Sequence, residues 1–328
     1  DQPRSRGLGD VYKRQQYEKD KPMYYAWGKF VAEYVIYKLN LSQVEYDKLI
    51  KIPVEPRVKE TASLVQKAFF RKKNYVDPYN EITDKVGVRF VVMVQNQIKE
   101  IADIVEQADI WSWSKDKDFE KMREERPEVF EYESVHYIVR ADEAFKYNEI
   151  RIEKGTPCEI QIRTLEQHAY AELSHDYFYK SDVGIEKKMK RLLARSSALN
   201  ETTDSLFGVV YDMIENEKEE YYKLNRELMC ICEFPDYDEE LNRSIYNNVK
   251  NMYEKYVMGK INLKEWIEED IIDGIKRKSD NSLFRQPMIL LIYYLLSERR
   301  KELLKTWEYT TDMLEPIADD LGVAIEPF

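Results

Sequence analysis

The stretch from Pro157 to Thr164, with the residues that follow it, limits the fold more than any other part of the chain. In Pro157-Cys-Glu-Ile-Gln-Ile-Arg-Thr164 the polarity alternates strictly. Successive side chains of a strand point to opposite faces, so Cys158, Ile160 and Ile162 share one side and Glu159, Gln161 and Arg163 share the other. The period then changes. Thr164 and Gln167 stand at capping-box spacing, which predicts a helix beginning there and carrying His168, Glu172 and His175. A strand face with an acid, an amide and a guanidinium, feeding such a helix, suits a site that handles phosphates and a metal. Taken alone, the stretch is better read as an amphipathic strand with a solvated face; the rest of the chain changes that balance.

The 328 residues can build one large domain or two modest ones. With 43% hydrophobic and 34% charged residues, the chain reads as globular rather than disordered. A net charge of −11 argues against a protein that coats nucleic acid by bulk electrostatics, though not against a local basic groove. The three cysteines include a C-x-C pair, Cys230 and Cys232, without the second ligand cluster that zinc needs. So few cysteines suggest no disulfide framework and a reducing compartment. The longest apolar run, Met288 to Leu296, is well short of the ~20 residues of a bilayer span, so no membrane association is expected. No secretory leader is recognisable, and the expected location is cytoplasmic. Residues 1–15 differ from the rest: they are polar, contain Pro3, Gly7 and Gly9, and resemble translated adapter read-through, which marks them as a non-native leader.

Taken in order, Met23 to Leu39 has helical spacing through Trp27, Phe30, Val31, Tyr34, Val35 and Leu39, and is read as a helix packed on the main core. Pro53 and Pro56 end the next segment. Arg57 to Lys67 is read as a helix whose polar row, Lys59, Ser63 and Lys67, stands beside an Arg57 entrance. That row is either a solvated basic face or a polyphosphate cradle. Val86 to Val94 reads as a central strand buried on both faces, with Asp84 at its start, Gly87 leaving room for a close approach, and Arg89 needing an anion, a stacking partner or the sheet edge. A helix over 97–108 and a short strand over 109–114 follow. The charge-dense run 115–126, with Lys117 and Lys121, is either a solvated segment or a reach toward phosphates. Tyr132 to Val139 reads as another strand, with Ser134 and His136 on one face and Tyr132 free to stack on a base. Residues 186–215 form a long helical pattern. Its stripe, Met189, Leu192, Leu193, Leu199, Leu206, Val210 and Met213, is assigned to core packing across the sheet. Beyond Asn216 the chain turns acidic and helical, with helices over 244–256, 263–275 and 287–313, and Ser282 as a cap for the most buried. The expected division is 1–15 leader, 16–215 main domain with an N-terminal helix, and 216–328 helical accessory domain.

Together and in this order, these motifs resemble the synthetase domain of the RelA/SpoT alarmone synthetase family, in a small, hydrolase-lacking form with a C-terminal helical extension. The resemblance covers roughly 54–215. It implies an α+β fold, a nucleotidyltransferase-like mixed β-sheet flanked by helices, followed here by an all-α C-terminal region. It implies transfer of pyrophosphate from ATP to the 3′-hydroxyl of GDP or GTP, giving (p)ppGpp and AMP. By the same resemblance, Arg57, Lys59, Ser63, Lys67, Arg89 and Arg163 serve ATP, with Arg57 and Arg89 stacking on adenine. Asp84 and Glu159 hold Mg²⁺, and Asp84, Glu159 and Gln161 form the catalytic set. Tyr132, His136, Lys117 and Lys121 serve the acceptor, and His175 with Tyr179-Lys180 closes the helix. One departure stands beside the stacking tyrosine: Glu131 occupies a position where the family usually has glycine. Because some relatives pyrophosphorylate the tRNA 3′ CCA end, tRNA is the alternative acceptor; an inactive nucleotide-binding module is the other alternative. The three histidines, 136, 168 and 175, are too few for the family's separate hydrolase domain. The C-terminal helices are the expected place for a homo-oligomer contact or a neutralising partner.

Overall fold

The computed structural model describes residues 3–42, 46–70, 75–126, 128–130, 134–174 and 187–325. The chain divides into two compact units, Asp1–Tyr211 and Asp212–Phe328.

The first unit opens with α1 (Pro3–Leu41), a single helix that includes the polar residues set apart at the N-terminus. A short α2 (Tyr46–Leu49) leads to β1 (Arg57–Val58), α3 (Thr61–Val65) and a π-helical turn, Gln66–Phe70. Then come α4 (Pro78–Glu81), β2 (Val86–Val92), α5 (Asn96–Gln107), β3 (Trp111–Lys117) and α6 (Phe119–Glu125). The strands β4 (Val135–Ala141), β5 (Phe145–Tyr147), β6 (Ile150–Ile152) and β7 (Pro157–Thr164) precede α7 (Leu165–Ser174) and α8 (Lys187–Met229).

Five strands form one mixed sheet in the order β1-β2-β7-β4-β3, in which only β2 and β7 run parallel. The alternation predicted for β7 decides which side is buried. Cys158, Ile160 and Ile162 join Val88, Phe90, Tyr137 and Val139 in a core shared with Trp27, Val31 and Val35 of α1 and Ile101 and Val105 of α5. Each such side chain taken from water contributes roughly 1.5–3 kcal/mol. Helix α1 lies very close to the sheet: a Cβ on Gly28 would stand 2.7 Å from Val86 Cγ2 and 2.8 Å from Pro56 Cβ.

Three local expectations change. Arg57 to Lys67 is not one helix. Arg57 and Val58 are drawn into the sheet by antiparallel pairing with Gly87 and Val86, and the helix begins only at Thr61. The hairpin β5–β6 leaves no mark in the sequence because its turn residues, Asn148 and Glu149, both take positive φ (47° and 63°) without a glycine. The stripe on α8 is not core: Leu192, Leu199, Leu206 and Met213 are 52%, 67%, 61% and 61% exposed. The side of this helix that is buried carries Ser197, Asp204 and Gly208 instead.

The second unit packs the end of α8, through Tyr221, Leu224 and Leu228, with α9 (Glu239–Tyr256), α10 (Leu263–Trp266), α11 (Glu269–Arg277), α12 (Ile289–Glu298), α13 (Arg300–Thr306) and α14 (Glu315–Leu321). Its centre is α12, whose residues from Ile289 to Leu296 are all buried. The 287–313 stretch, expected as one helix, breaks after Glu298 and again after Thr306. Ser282 does not cap α12, whose N-cap position is Met288 with no side-chain cap; Asn281 instead caps a separate 3₁₀ turn, Ser282–Arg285, accepting from Leu283 N. No helix among the described residues is long and apolar enough to cross a membrane.

Candidate functional site

The polar face of the sheet gathers most of the residues singled out by sequence. Strand register pairs Gly87 with Glu159 and Arg89 with Gln161, pairs His136 with Gln161, and sets Lys117 opposite His136. Paired residues project to the same side, so Arg89, Gln161, His136 and Lys117 form one row across four strands.

Asp84 sits just before β2. Lys59 Nζ lies 2.9 Å and Lys67 Nζ 2.7 Å from its Oδ2. Lys59 approaches from the β1–α3 connection and Lys67 from the π-helical turn, so the two ammoniums converge although no single helix carries both. Burial pulls the Asp84 carboxyl upward, but the two lysines outweigh it and hold the group below the usual carboxylate range. Its other oxygen, Oδ1, is buried without a hydrogen-bond partner. Both sides of this cluster hang on Tyr17 of α1, whose hydroxyl donates to the Lys59 carbonyl at 2.7 Å and to the Lys85 carbonyl at 3.2 Å.

Glu159 stands in a chain of polar contacts. Ser134 Oγ meets His136 Nε2 at 2.6 Å, and His136 Nδ1 meets Glu159 Oε1 at 3.1 Å. Gln161 Nε2 donates to Glu159 Oε2 at 2.9 Å, and Arg163 Nη2 donates to Gln161 Oε1 at 2.6 Å. Burial raises the Glu159 carboxyl; the His136 contact and the Gln161 amide outweigh burial and the nearby Asp84 charge, leaving it below its ordinary range. The Asp84 charge acts on Glu159 in the same direction as burial. Gly87 keeps its side of the sheet open: a Cβ there would come 3.9 Å from Glu159 Oε2.

Arg89 Nη1 rests on Glu172 Oε1 of α7 at 2.8 Å. His168, one turn earlier on α7, is held low by burial and then by the Arg163 and Arg89 charges. The predicted capping box forms as drawn: Gln167 N donates to Thr164 Oγ1 at 3.1 Å and Thr164 N to Gln167 Oε1 at 2.9 Å. Thr164 Oγ1 also donates to Asp204 Oδ2 at 2.7 Å, fastening the strand end to α8.

Other residues singled out by sequence are exposed. Arg57 is exposed on β1, and Ser63 is exposed on α3. Lys117 and Lys121 are exposed, and Lys121 lies 4.0 Å from Glu125. Tyr132, Glu131, His175, Tyr179, Lys180 and the basic run 71–73 lie outside the described residues. Glu172 stands on the helix singled out by sequence, but not as the partner of Arg89. Two contributors carried no sequence signal of their own: Tyr17 as the tie between two backbone segments, and Lys85, which is buried against the rings of Tyr24 and Tyr79.

Residues 56–184 match the family described as the region found in RelA / SpoT proteins, and the chain carries this region on the sheet just described. The fold is similar to that of the small alarmone synthetase 1 from Bacillus subtilis, with 22% identity, 61% of this chain and 98% of that one covered, and a TM-score of 0.50. A GTP pyrophosphokinase family protein from Streptococcus pneumoniae aligns with 24% identity over 62% of this chain and 96% of its own, with a TM-score of 0.49. No curated protein matches the chain.

Proposed function

We propose that the chain is an ATP pyrophosphotransferase that makes (p)ppGpp from GDP or GTP, releasing AMP. The observation that carries the proposal is the convergence of Lys59 and Lys67 on Asp84, within the electrostatic reach of a Glu159 held by His136 and Gln161. Its location inside the RelA/SpoT region, on a fold similar to that of a small alarmone synthetase, supports the same reading.

The transfer forms a bond between the acceptor 3′-oxygen and the β-phosphorus of ATP and breaks the bond between that phosphorus and the α–β bridging oxygen, which leaves with AMP. Such a reaction needs alignment and neutralisation of charge more than covalent help. Lys59, Lys67 and Arg163 neutralise phosphate charge. Glu159 accepts the hydrogen bond, and then the proton, of the attacking hydroxyl, while His136 and Gln161 fix its orientation. Arg57 and Arg89 hold the adenine; the Arg89 contact with Glu172 uses one edge of the guanidinium and leaves its face for stacking. Tyr132, Lys117 and Lys121 serve the acceptor.

The donor set fits Mg²⁺. Magnesium binds through one or two carboxylates together with substrate phosphates rather than through an all-protein cage. The described residues contain no group of three or more His, Cys, Asp or Glu placed to hold a metal. They do offer the unpartnered Asp84 Oδ1, on a carboxylate whose charge acts on Glu159. Asp84 and Glu159 would hold the ion, which supplies charge neutralisation on the β- and γ-phosphates when bound.

The test is a transfer assay with ATP labelled at the β- or γ-phosphate and GDP, GTP or tRNA as acceptor. Label in a guanosine nucleotide is the expected result. Label confined to tRNA would move the acceptor assignment to the RNA 3′ end, and label in no acceptor would refute the transferase reading.

A further inference from the structure

The proposed transfer sets a recognition problem. Donor and acceptor are both purine nucleotides. Cationic side chains answer the phosphates of either one, and a stacking guanidinium takes either base, because every base has a π-face. Lys59, Lys67, Arg163 and Arg89 therefore do not separate ATP from GTP. The two bases carry opposite groups at position 6: adenine an amino group that donates, guanine an oxygen that accepts. A donor site that admits ATP and refuses GTP needs, at the rim of the stacking platform, a group that accepts and cannot donate.

Glu172 is such a group. The other polar side chains beside Arg89 do not qualify. Gln161, its partner in strand register, is already engaged: its amide nitrogen donates to Glu159 Oε2 at 2.9 Å, and its carbonyl accepts from Arg163 Nη2 at 2.6 Å. His168 can carry its ring proton on either nitrogen, so it can accept or donate. Glu172 Oε1 accepts from Arg89 Nη1 at 2.8 Å and stands 3.7 Å from His168 Nδ1, too far for a hydrogen bond. A bidentate pair with arginine would use both carboxylate oxygens. This single contact leaves Oε2 without a partner among the described residues. The pair is rooted at its Arg89 end, where Nε is buried, and open at the other, where the Glu172 side chain is 47% exposed.

We propose that Glu172 reads the base stacked on Arg89, its free Oε2 accepting from the 6-amino group of adenine and repelling the 6-oxygen of guanine. An ionised carboxylate is acceptor-only, so a base with an oxygen at that position meets repulsion instead of a hydrogen bond. The identity of the donor rests on the proposed reaction; Glu172 is a specificity residue, remote from the bonds that form and break. The same carboxylate holds the guanidinium by one edge, so platform and reader are tied together. Glu172 stands on α7, directly after the strand that carries Glu159 and Gln161. Donor selection and chemistry thus share one strand-to-helix unit, closed by Thr164 and Gln167.

The test has a binding arm and a transfer arm, both on the full chain. Calorimetry compares the α,β-methylene triphosphates of adenosine and of purine riboside, which lacks the 6-amino group; the methylene replaces the oxygen whose bond the reaction breaks. The wild type should bind the adenosine form about 10-fold or more tightly, the scale of one hydrogen bond to a charged group. In Glu172→Ala that ratio should fall to about one. A residue that merely steadies Arg89 would weaken both nucleotides together and leave the ratio as in the wild type, which would overturn the assignment. In the transfer arm, Glu172→Gln keeps an acceptor for Arg89 and adds an N–H that can meet a 6-oxygen. Its kcat/KM with inosine triphosphate as donor to GDP, relative to ATP, should rise about 10-fold or more over the wild type; an unchanged ratio would also overturn the assignment. The two readings fail separately. A wild type that binds with the stated preference but transfers nothing refutes the reaction and keeps the base reading. Transfer with ratios untouched in both variants refutes the base reading alone, and no binding of either analogue refutes both.

Discussion

His136 and Glu159 face each other across neighbouring antiparallel strands, with Nδ1 3.1 Å from Oε1. The contact joins two strands and two roles: β4 carries a histidine proposed for the acceptor, and β7 carries a carboxylate proposed for the metal and the hydroxyl. Because Ser134 takes the other ring nitrogen, the imidazole is held at both ends and can turn only by breaking one of these bonds.

Asp84 is the most exacting position. Asp84→Asn keeps the shape but removes the charge that both lysines answer. Pyrophosphate transfer in the labelled-ATP assay should fall by about 100-fold or more, the scale seen when one preorganised electrostatic group is lost from an active site. Retention of near-full turnover would contradict its assignment.

Glu159 should make the fold acid-sensitive. Its carboxyl is held below the ordinary range in the folded chain, so the unfolded chain binds more protons as the pH falls. The stabilisation is complete above the unfolded value and is lost as the pH drops through the folded one. Urea midpoints recorded downward from about pH 5 should therefore fall more steeply for the wild type than for Glu159→Gln. Parallel curves would show that the carboxylate is not electrostatically stabilised.

Lys85 runs the other way. Burial lowers its pKa to about 8, against the pull of Asp84, Asp77 and Asp20. Between that value and the ordinary lysine range the unfolded chain binds the extra proton, so stability rises with pH across this window. Relative to Lys85→Met, the wild type should gain on the order of 3 kcal/mol from pH 7 to pH 10.5. Urea titrations at several pH values would show it, and a constant difference would rule it out.

Thr164 closes the strand-to-helix junction with one hydroxyl that accepts from Gln167 N and donates to Asp204. Thr164→Val keeps the branched shape and removes both contacts. The expected loss is about 1–2 kcal/mol, read as a lower thermal midpoint. An unchanged midpoint would mean that the cap is replaced by water.

The readable parts of this molecule were those whose signal is local. The alternation from Cys158 to Arg163 and the Thr164–Gln167 box each need only a few consecutive residues, and both appear as expected. The convergence of Lys59 and Lys67 was anticipated from helical spacing that does not exist. They meet because Arg57 and Val58 pair with β2 and swing the following turn onto Asp84. The partner of Arg89 was illegible because Glu172 lies on a helix 83 residues further along. The stripe on α8 was misassigned for a related reason: periodicity says that a face wants covering, and says nothing about what covers it.

Gly28 carries a final consequence. At this point α1 passes over Val86 and Pro56 with no room for a methyl group. Val86 lies two residues after Asp84, and Pro56 three before Lys59. The gap between aspartate and lysine is thus gauged from behind the sheet, by a hydrogen atom on a helix that contributes no side chain proposed to touch the substrates. Any larger residue at that position acts as a wedge against the two segments that carry Asp84 and Lys59.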